Sequence, residues 1–149
     1  MSFRYHLNQI NQAVDYLDEH LQSPVICFDG PIGAGKTTLI SRLCQKWQVM
    51  DSISSPTFSI VNHYNSLSKG LIYHFDFYRL ESLEEVLDIG IEEYLDSGNI
   101  CLIEWSEKIL TLLPENCIRV KIETNNDQSR SINISVSYTH LRAHETLLY

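Results

Sequence analysis

The sequence predicts an α/β fold, a sheet with both parallel and antiparallel neighbours and helices packed on it. Three observations carry this. Val25-Ile26-Cys27-Phe28 is a short apolar run that leads into a glycine-rich loop and then a helical pattern. Ile100-Cys101-Leu102-Ile103 is apolar at every position, as in a central strand covered on both faces. Cys117 to Ile122 and Ser131 to Val136 alternate polar and apolar residues around the turn-forming Asn125-Asn126-Asp127-Gln128, as in an antiparallel hairpin.

The remaining elements follow in order. Leu7, Ile10, Val14, Leu17 and Leu21 recur at helical steps and predict a helix over Tyr5 to Leu21. Leu39, Ile40, Leu43 and Trp47 give the same signal over Thr37 to Trp47. Ser52 to Pro56 reads as loop. Phe58 to Tyr64 and Leu71 to Phe77 read as strands, and the short polar link Asn65 to Gly70 makes them antiparallel. Leu80 to Leu95 holds one or two short helices broken near Gly90. No repeat or second domain is evident.

Composition excludes several classes. The 149 residues fit one domain with 44% hydrophobic content. No apolar run approaches the roughly 18–20 residues that span a bilayer, and the polar N-terminus is no secretory signal, so no membrane role and a cytoplasmic setting are expected. The net charge of −8 argues against a free-standing DNA or RNA binder, which needs Lys and Arg for phosphates. Cys27, Cys44, Cys101 and Cys117 form no CxxC pair and read as buried thiols.

The strongest chemical signal is Gly30-Pro31-Ile32-Gly33-Ala34-Gly35-Lys36-Thr37, the full eight-residue phosphate loop between strand and helix. Its glycines free the backbone to point N–H groups from about Gly33 through Ala34, Gly35, Lys36 and Thr37 to Thr38 at a phosphate. The helix N-terminus adds partial positive charge. Lys36 is expected on the β- and γ-phosphate oxygens and the Thr37 hydroxyl on magnesium, with Mg-ATP as ligand. Such a site needs an acidic group at a strand end. Glu104 and Asp76 both qualify as catalytic or metal-binding carboxylates, and the pattern leaves open which activates water and which serves magnesium. Thr57, in Ser55-Pro56-Thr57-Phe58, falls where a γ-phosphate-sensing switch segment is expected. His74 shares a strand face with Asp76 and His63 lies on the partner strand; either could touch the nucleotide site, with an ordinary sheet histidine the favoured reading. Trp105 is either core or a cover for the nucleotide or a partner surface.

No Asn-Lys-x-Asp segment is present to read guanine, and no Leu-Ser-Gly-Gly-Gln-like segment marks a transporter ATPase. Only six arginines are present, few for a kinase that clamps two substrates. Three functions remain: an ATP hydrolase, a small-molecule or nucleotide kinase whose acceptor site is hinted at by Asp76-Phe77-Tyr78-Arg79, and a nucleotide-dependent binding module.

The ordered set Gly30 to Thr38, Ser-Pro-Thr-Phe at 55–58, His-Phe-Asp-Phe-Tyr-Arg-Leu at 74–80, Gly-Ile-Glu-Glu-Tyr at 90–94 and Ile-Glu-Trp at 103–105 resembles the TsaE family, the bacterial ATPase of tRNA threonylcarbamoyladenosine biosynthesis. The resemblance runs from about Tyr5 to Ser135. It implies a P-loop NTPase-like three-layer fold and a weak cytoplasmic ATPase activated by two partner proteins. Those partners form the threonylcarbamoyl transferase complex that modifies position 37 of tRNA, so tRNA is met only through them. It also implies that Lys36 and Thr37 bind phosphate and magnesium, that Thr57 belongs to the switch, that Asp76 and Glu104 serve hydrolysis, and that Trp105 lies beside the nucleotide. Two departures are Pro31, where the family often has an acidic residue, and Ser106, where proline often follows Glu-Trp. The segment from Ser137 to Thr146 resembles read-through of adaptor sequence. Residues 1–135 are therefore expected to form the P-loop domain and residues 136–149 a non-native, poorly ordered tail.

Overall fold

In the computed structural model, residues 2–56 and 60–137 are described. Seven strands form one sheet: β1 (Ser2–Tyr5), β2 (Val25–Asp29), β3 (Val61–Ser66), β4 (Gly70–Asp76), β5 (Ile100–Glu104), β6 (Cys117–Thr124) and β7 (Arg130–Ser137). Their spatial order is β1-β7-β6-β2-β5-β4-β3. β2 lies parallel to both β5 and β6, and β4 lies parallel to β5. The β3–β4, β6–β7 and β1–β7 pairs are antiparallel. The mixed sheet and both predicted hairpins are therefore present. Phe58 and the expected switch residue Thr57 lie outside the described residues, as does the tail beyond Ser137.

Among the described residues four α-helices cover the sheet: α1 (Ile10–His20), α2 (Lys36–Lys46), α3 (Leu83–Asp88) and α4 (Ile91–Asp96). Strand alternation sorts the core into two faces. Ile26, Phe28, Ile72, Leu102, Ile118 and Val120 pack against Ala13, Val14 and Leu17 of α1 and Leu39, Ile40 and Leu43 of α2. Val25, Cys27, Phe75, Cys101, Ile103 and Cys117 face the other way, onto Val86, Ile91, Leu95 and Ile109. Helices on both faces of one sheet give the three expected layers. All four cysteines are buried. Burial pushes the thiols of Cys44 and Cys101 up to about 12, which leaves them inert. Among the described residues no helix is long and apolar enough to cross a membrane.

One element differs from the sequence expectation, and the expected helix break at Gly90 is present. The helix expected over Tyr5 to Leu21 is split into β1, a 3-10 turn at Leu7–Gln9, and α1. An extended Ser2–Tyr5 satisfies the open edge of β7, and this long-range pairing overrides local periodicity. Leu7 belongs to no apolar stripe and is exposed. The Leu80 to Leu95 region resolves into two six-residue helices around Gly90, whose φ of 79° lies in the left-handed region.

Candidate active site

Three parallel strand ends and one helix N-terminus meet at the same edge of the sheet. β2 ends at Asp29, the loop follows, and α2 begins at Lys36. Gly30 is forced by space: an added Cβ would lie 2.9 Å from the Ile122 carbonyl oxygen and 3.2 Å from the Ala34 Cβ. Gly33 and Gly35 are required by conformation instead, with φ of 83° and 101° and open space around them. Gly35 caps α2 from this left-handed state. The first N–H groups of α2 have no intrahelical acceptor and form the positive end of the helix dipole, which favours an anion.

The loop is braced from beneath. Arg119 of β6 pairs with the Asp29 carboxylate at 2.7 Å, and Ser106 donates to the same carboxylate at 3.2 Å. Arg130 of β7 donates from Nε to the Ala34 carbonyl at 3.0 Å. Neither arginine carried a local sequence signal. Arg130 is 96 residues from its acceptor, and only the strand order brings it there.

Lys36 is buried and folded back, donating to the Gly30 carbonyl. Its Nζ lies 3.8 Å from the centroid of the Trp105 ring, a cation–π contact. Burial lowers the pKa of Lys36 from its ordinary value against the opposing pull of Glu104, Glu107, Asp76 and Asp29. Trp105 adopts a left-handed backbone, φ 59°, as the chain turns sharply out of β5. Its indole packs on Tyr78 with ring centroids 4.8 Å apart. Trp105 thus forms a wall of the site while packing, partly buried, against the core beneath it.

The two candidate carboxylates are opposite each other in the β4–β5 register, Asp76 against Glu104. Glu104 is only 2% exposed. Its Oε1 accepts from the Thr37 hydroxyl at 2.9 Å, and its Oε2 accepts from Ser55 at 3.0 Å and from His74 Nε2 at 2.8 Å. Burial alone would raise its pKa, but the hydrogen bonds from His74, Thr37 and Ser55 outweigh burial and hold the carboxyl below its ordinary value. Asp76 has the opposite shift: burial pushes it up, against the N–H that Tyr78 donates to Oδ1 at 2.9 Å. Among the described residues no group of three or more His, Cys, Asp or Glu side chains is arranged to hold a metal ion alone. The Thr37 and Ser55 hydroxyls with two carboxylates are all hard oxygen donors. They fit magnesium, which takes few protein ligands and shares its shell with water and phosphate.

A cavity of about 880 Å³ spans Gly33, Gly35, Lys36, Thr37, Thr38, Asp76, Glu104 and Trp105. Its outer wall is made by Ile32, Pro56, Ile60, Tyr78, Arg79, Leu80 and Glu85. Of the sequence-predicted residues in the described region, all but Gly30 and Ala34 line this cavity; Ala34 is buried in the core instead. The two histidines separate. His63 is exposed on the sheet edge and its ring packs on Tyr73 and Tyr94. His74, for which contact with the site is the less favoured of the two sequence readings, bonds to the central carboxylate. Arg42 points away, toward Asn11 at 3.5 Å, whereas Arg79 lines the cavity.

The fold and site define a phosphate-loop protein of the three-layer α/β class. Within that class the chain belongs to the family described as threonylcarbamoyl adenosine biosynthesis protein TsaE, whose model matches residues 5–132. The tRNA threonylcarbamoyladenosine biosynthesis protein TsaE of Haemophilus influenzae is 41% identical over 123 residues, 82% of this chain and 76% of that protein. The protein of the same name from Bacillus subtilis is 34% identical over 111 residues, 74% of this chain and 68% of that one. The crystal structure of YdiB from Bacillus subtilis superposes with a TM-score of 0.68 at 26% identity, over 99% of this chain and 93% of that one.

Proposed function

We propose that this chain binds Mg-ATP in the cavity above the phosphate loop and hydrolyses it. In this reading it is the ATPase subunit of the cytoplasmic machinery that makes N6-threonylcarbamoyladenosine at position 37 of tRNA. The observation that carries the reading is the Thr37–Glu104–Ser55 cluster at the head of α2, with Asp76 across the register. Family membership supplies the biological setting. Two partner proteins of the transferase complex would activate turnover, and tRNA would be met through them rather than by this acidic surface.

Magnesium, when bound with the triphosphate, neutralises charge on the phosphoryl oxygens. The chain's own part is to hold and orient. Loop N–H groups and the α2 N-terminus cradle phosphate, and Lys36 leaves the Trp105 face to reach its oxygens. Glu104 already contacts the Thr37 and Ser55 hydroxyls, which favours it as the metal-side carboxylate. That leaves Asp76, steered by the Tyr78 N–H, to orient the attacking water.

The test is turnover of ATP by the chain alone and with the two partners, following free phosphate and any phosphorylated acceptor. Free phosphate that rises on adding the partners is expected. Phosphate on an acceptor would make the protein a kinase, using the Tyr78–Arg79 wall for its second substrate. Nucleotide binding without turnover under both conditions would reduce it to a binding module.

A further inference from the structure

We propose that His74 is a positioning residue for Glu104, and that Tyr64 extends its hydrogen-bonded line to Ser54, so that the carboxylate and the 54–55 segment are set together. Its functional consequence rests on the ATPase reading above. Three side chains, the Ser54 carbonyl and Ser55 form a closed ring. Glu104 Oε2 accepts from His74 Nε2 at 2.8 Å, and His74 Nδ1 lies 2.9 Å from the Tyr64 hydroxyl. The Tyr64 hydroxyl donates to the Ser54 carbonyl at 2.8 Å, and the next residue, Ser55, returns to the same Glu104 oxygen at 3.0 Å. Two adjacent residues of one loop thus reach one carboxylate oxygen from two sides.

Position and burial make this more than sheet packing. Ile72, His74 and Asp76 share the α1/α2 face of β4, and Leu102 and Glu104 share it on β5. Along that face the core gives way to the site, and His74 is the first polar group met, with no exposed surface. An imidazole in an apolar face is stable only where both nitrogens find partners. Here one partner is the site's carboxylate, and the other leads to the loop that precedes residues 57–59. Neither His74 nor Tyr64 lines the cavity. Their action on turnover therefore passes through Glu104 and the loop. Supporting groups of this kind orient a ligand residue and typically matter by one to two orders of magnitude.

The decisive variants are Tyr64→Phe, which keeps the ring and removes the link, and His74→Ala, with His74→Gln as the conservative replacement whose amide can still reach Glu104. For the full chain with its partners, Tyr64→Phe and His74→Ala are each expected to lower kcat by about 10–100-fold. The Kd for Mg-ATP should stay within about two-fold, because the cradle is untouched. The double variant should lose no more than the worse single one, since both cut the same line. His74→Gln should recover part of the loss. Wild-type kcat in Tyr64→Phe, or losses that multiply in the double variant, would overturn the proposal. A second measurement stands apart from catalysis: a protected His74 ring N–H signal by NMR that is lost in Glu104→Gln and shifts in Tyr64→Phe. An absent or unresponsive signal also overturns it. A wild-type chain that shows this signal but never turns over ATP would sink the ATPase reading while leaving the line intact.

Discussion

The ammonium of Lys36 rests on the face of Trp105, 3.8 Å from the ring centroid, while bonding to the Gly30 carbonyl. The residue expected to grip phosphate is thus held within its own loop by the residue expected to flank the nucleotide. On the proposed reading, phosphate would draw the ammonium off the indole, so binding should be visible to Trp105. With Trp47 replaced by Phe, adding Mg-ATP should change tryptophan fluorescence with the same midpoint as calorimetric binding. Lys36→Ala should weaken binding by about 10–100-fold, the range for a charged hydrogen bond, and abolish the fluorescence change.

Glu104→Gln and Asp76→Asn should keep nucleotide binding and lose turnover by at least about a hundred-fold, since oriented charge is the main aid to phosphoryl transfer. Steady-state kinetics beside direct binding separates the two effects. Either variant turning over at the wild-type rate would remove that residue from the mechanism.

The same two carboxylates should tilt stability against pH in opposite directions. Glu104 is held below its ordinary 4.5, so its stabilisation is complete above that value and fades as pH falls through the lower folded value. Asp76 is raised above its ordinary 3.8, so its ionisation costs stability as pH climbs from there through the folded value. In metal-free buffer, Asp76→Asn should therefore stabilise the protein near neutrality and have little effect in strong acid. Glu104→Gln should destabilise near neutrality and also converge on wild type in acid. Urea unfolding over about pH 3–7 measures both.

Two glycine substitutions should fail for different reasons. Gly30→Ala drives a methyl into the Ile122 carbonyl and should cost about 1–3 kcal/mol with a displaced loop. Gly35→Ala meets open space but a φ of 101°, and should cost about 1–2 kcal/mol from backbone strain alone. Unfolding free energies measure the costs. A structure of each variant would show the β6 strand shifted only in Gly30→Ala.

Arg130→Ala frees the Ala34 carbonyl from its brace. Weaker Mg-ATP binding by about 2–10-fold is expected, the worth of one ordinary hydrogen bond, with kcat nearly unchanged. A fall in kcat at constant affinity would instead place Arg130 in the chemistry.

Local order made much of this legible. The phosphate loop, the strands at Val25 and Ile100, the two hairpins and the break at Gly90 all depend on neighbours in sequence. So do Glu104 and Asp76, because a carboxylate ending an apolar strand stands out. What stayed hidden depends on which strands lie side by side. Ser2–Tyr5 becomes a strand only because β7 offers an edge. Arg119 and Arg130 reach the loop only because β6 and β7 follow β2 in space. The alternation of β4 placed His74 and Asp76 on one face, but not that β5 delivers Glu104 to the same place.

The pairing of Asp76 with Glu104 has one more consequence. A β register has no half-steps, and a slip of one residue turns every side chain to the opposite face. Slipped by one, β4 would present Phe75 or Phe77 where Asp76 now stands, and His74 would lose its carboxylate. Misregistered molecules would then be blind to nucleotide. On the Mg-ATP reading, bound nucleotide would by mass action favour correctly paired chains over mispaired ones.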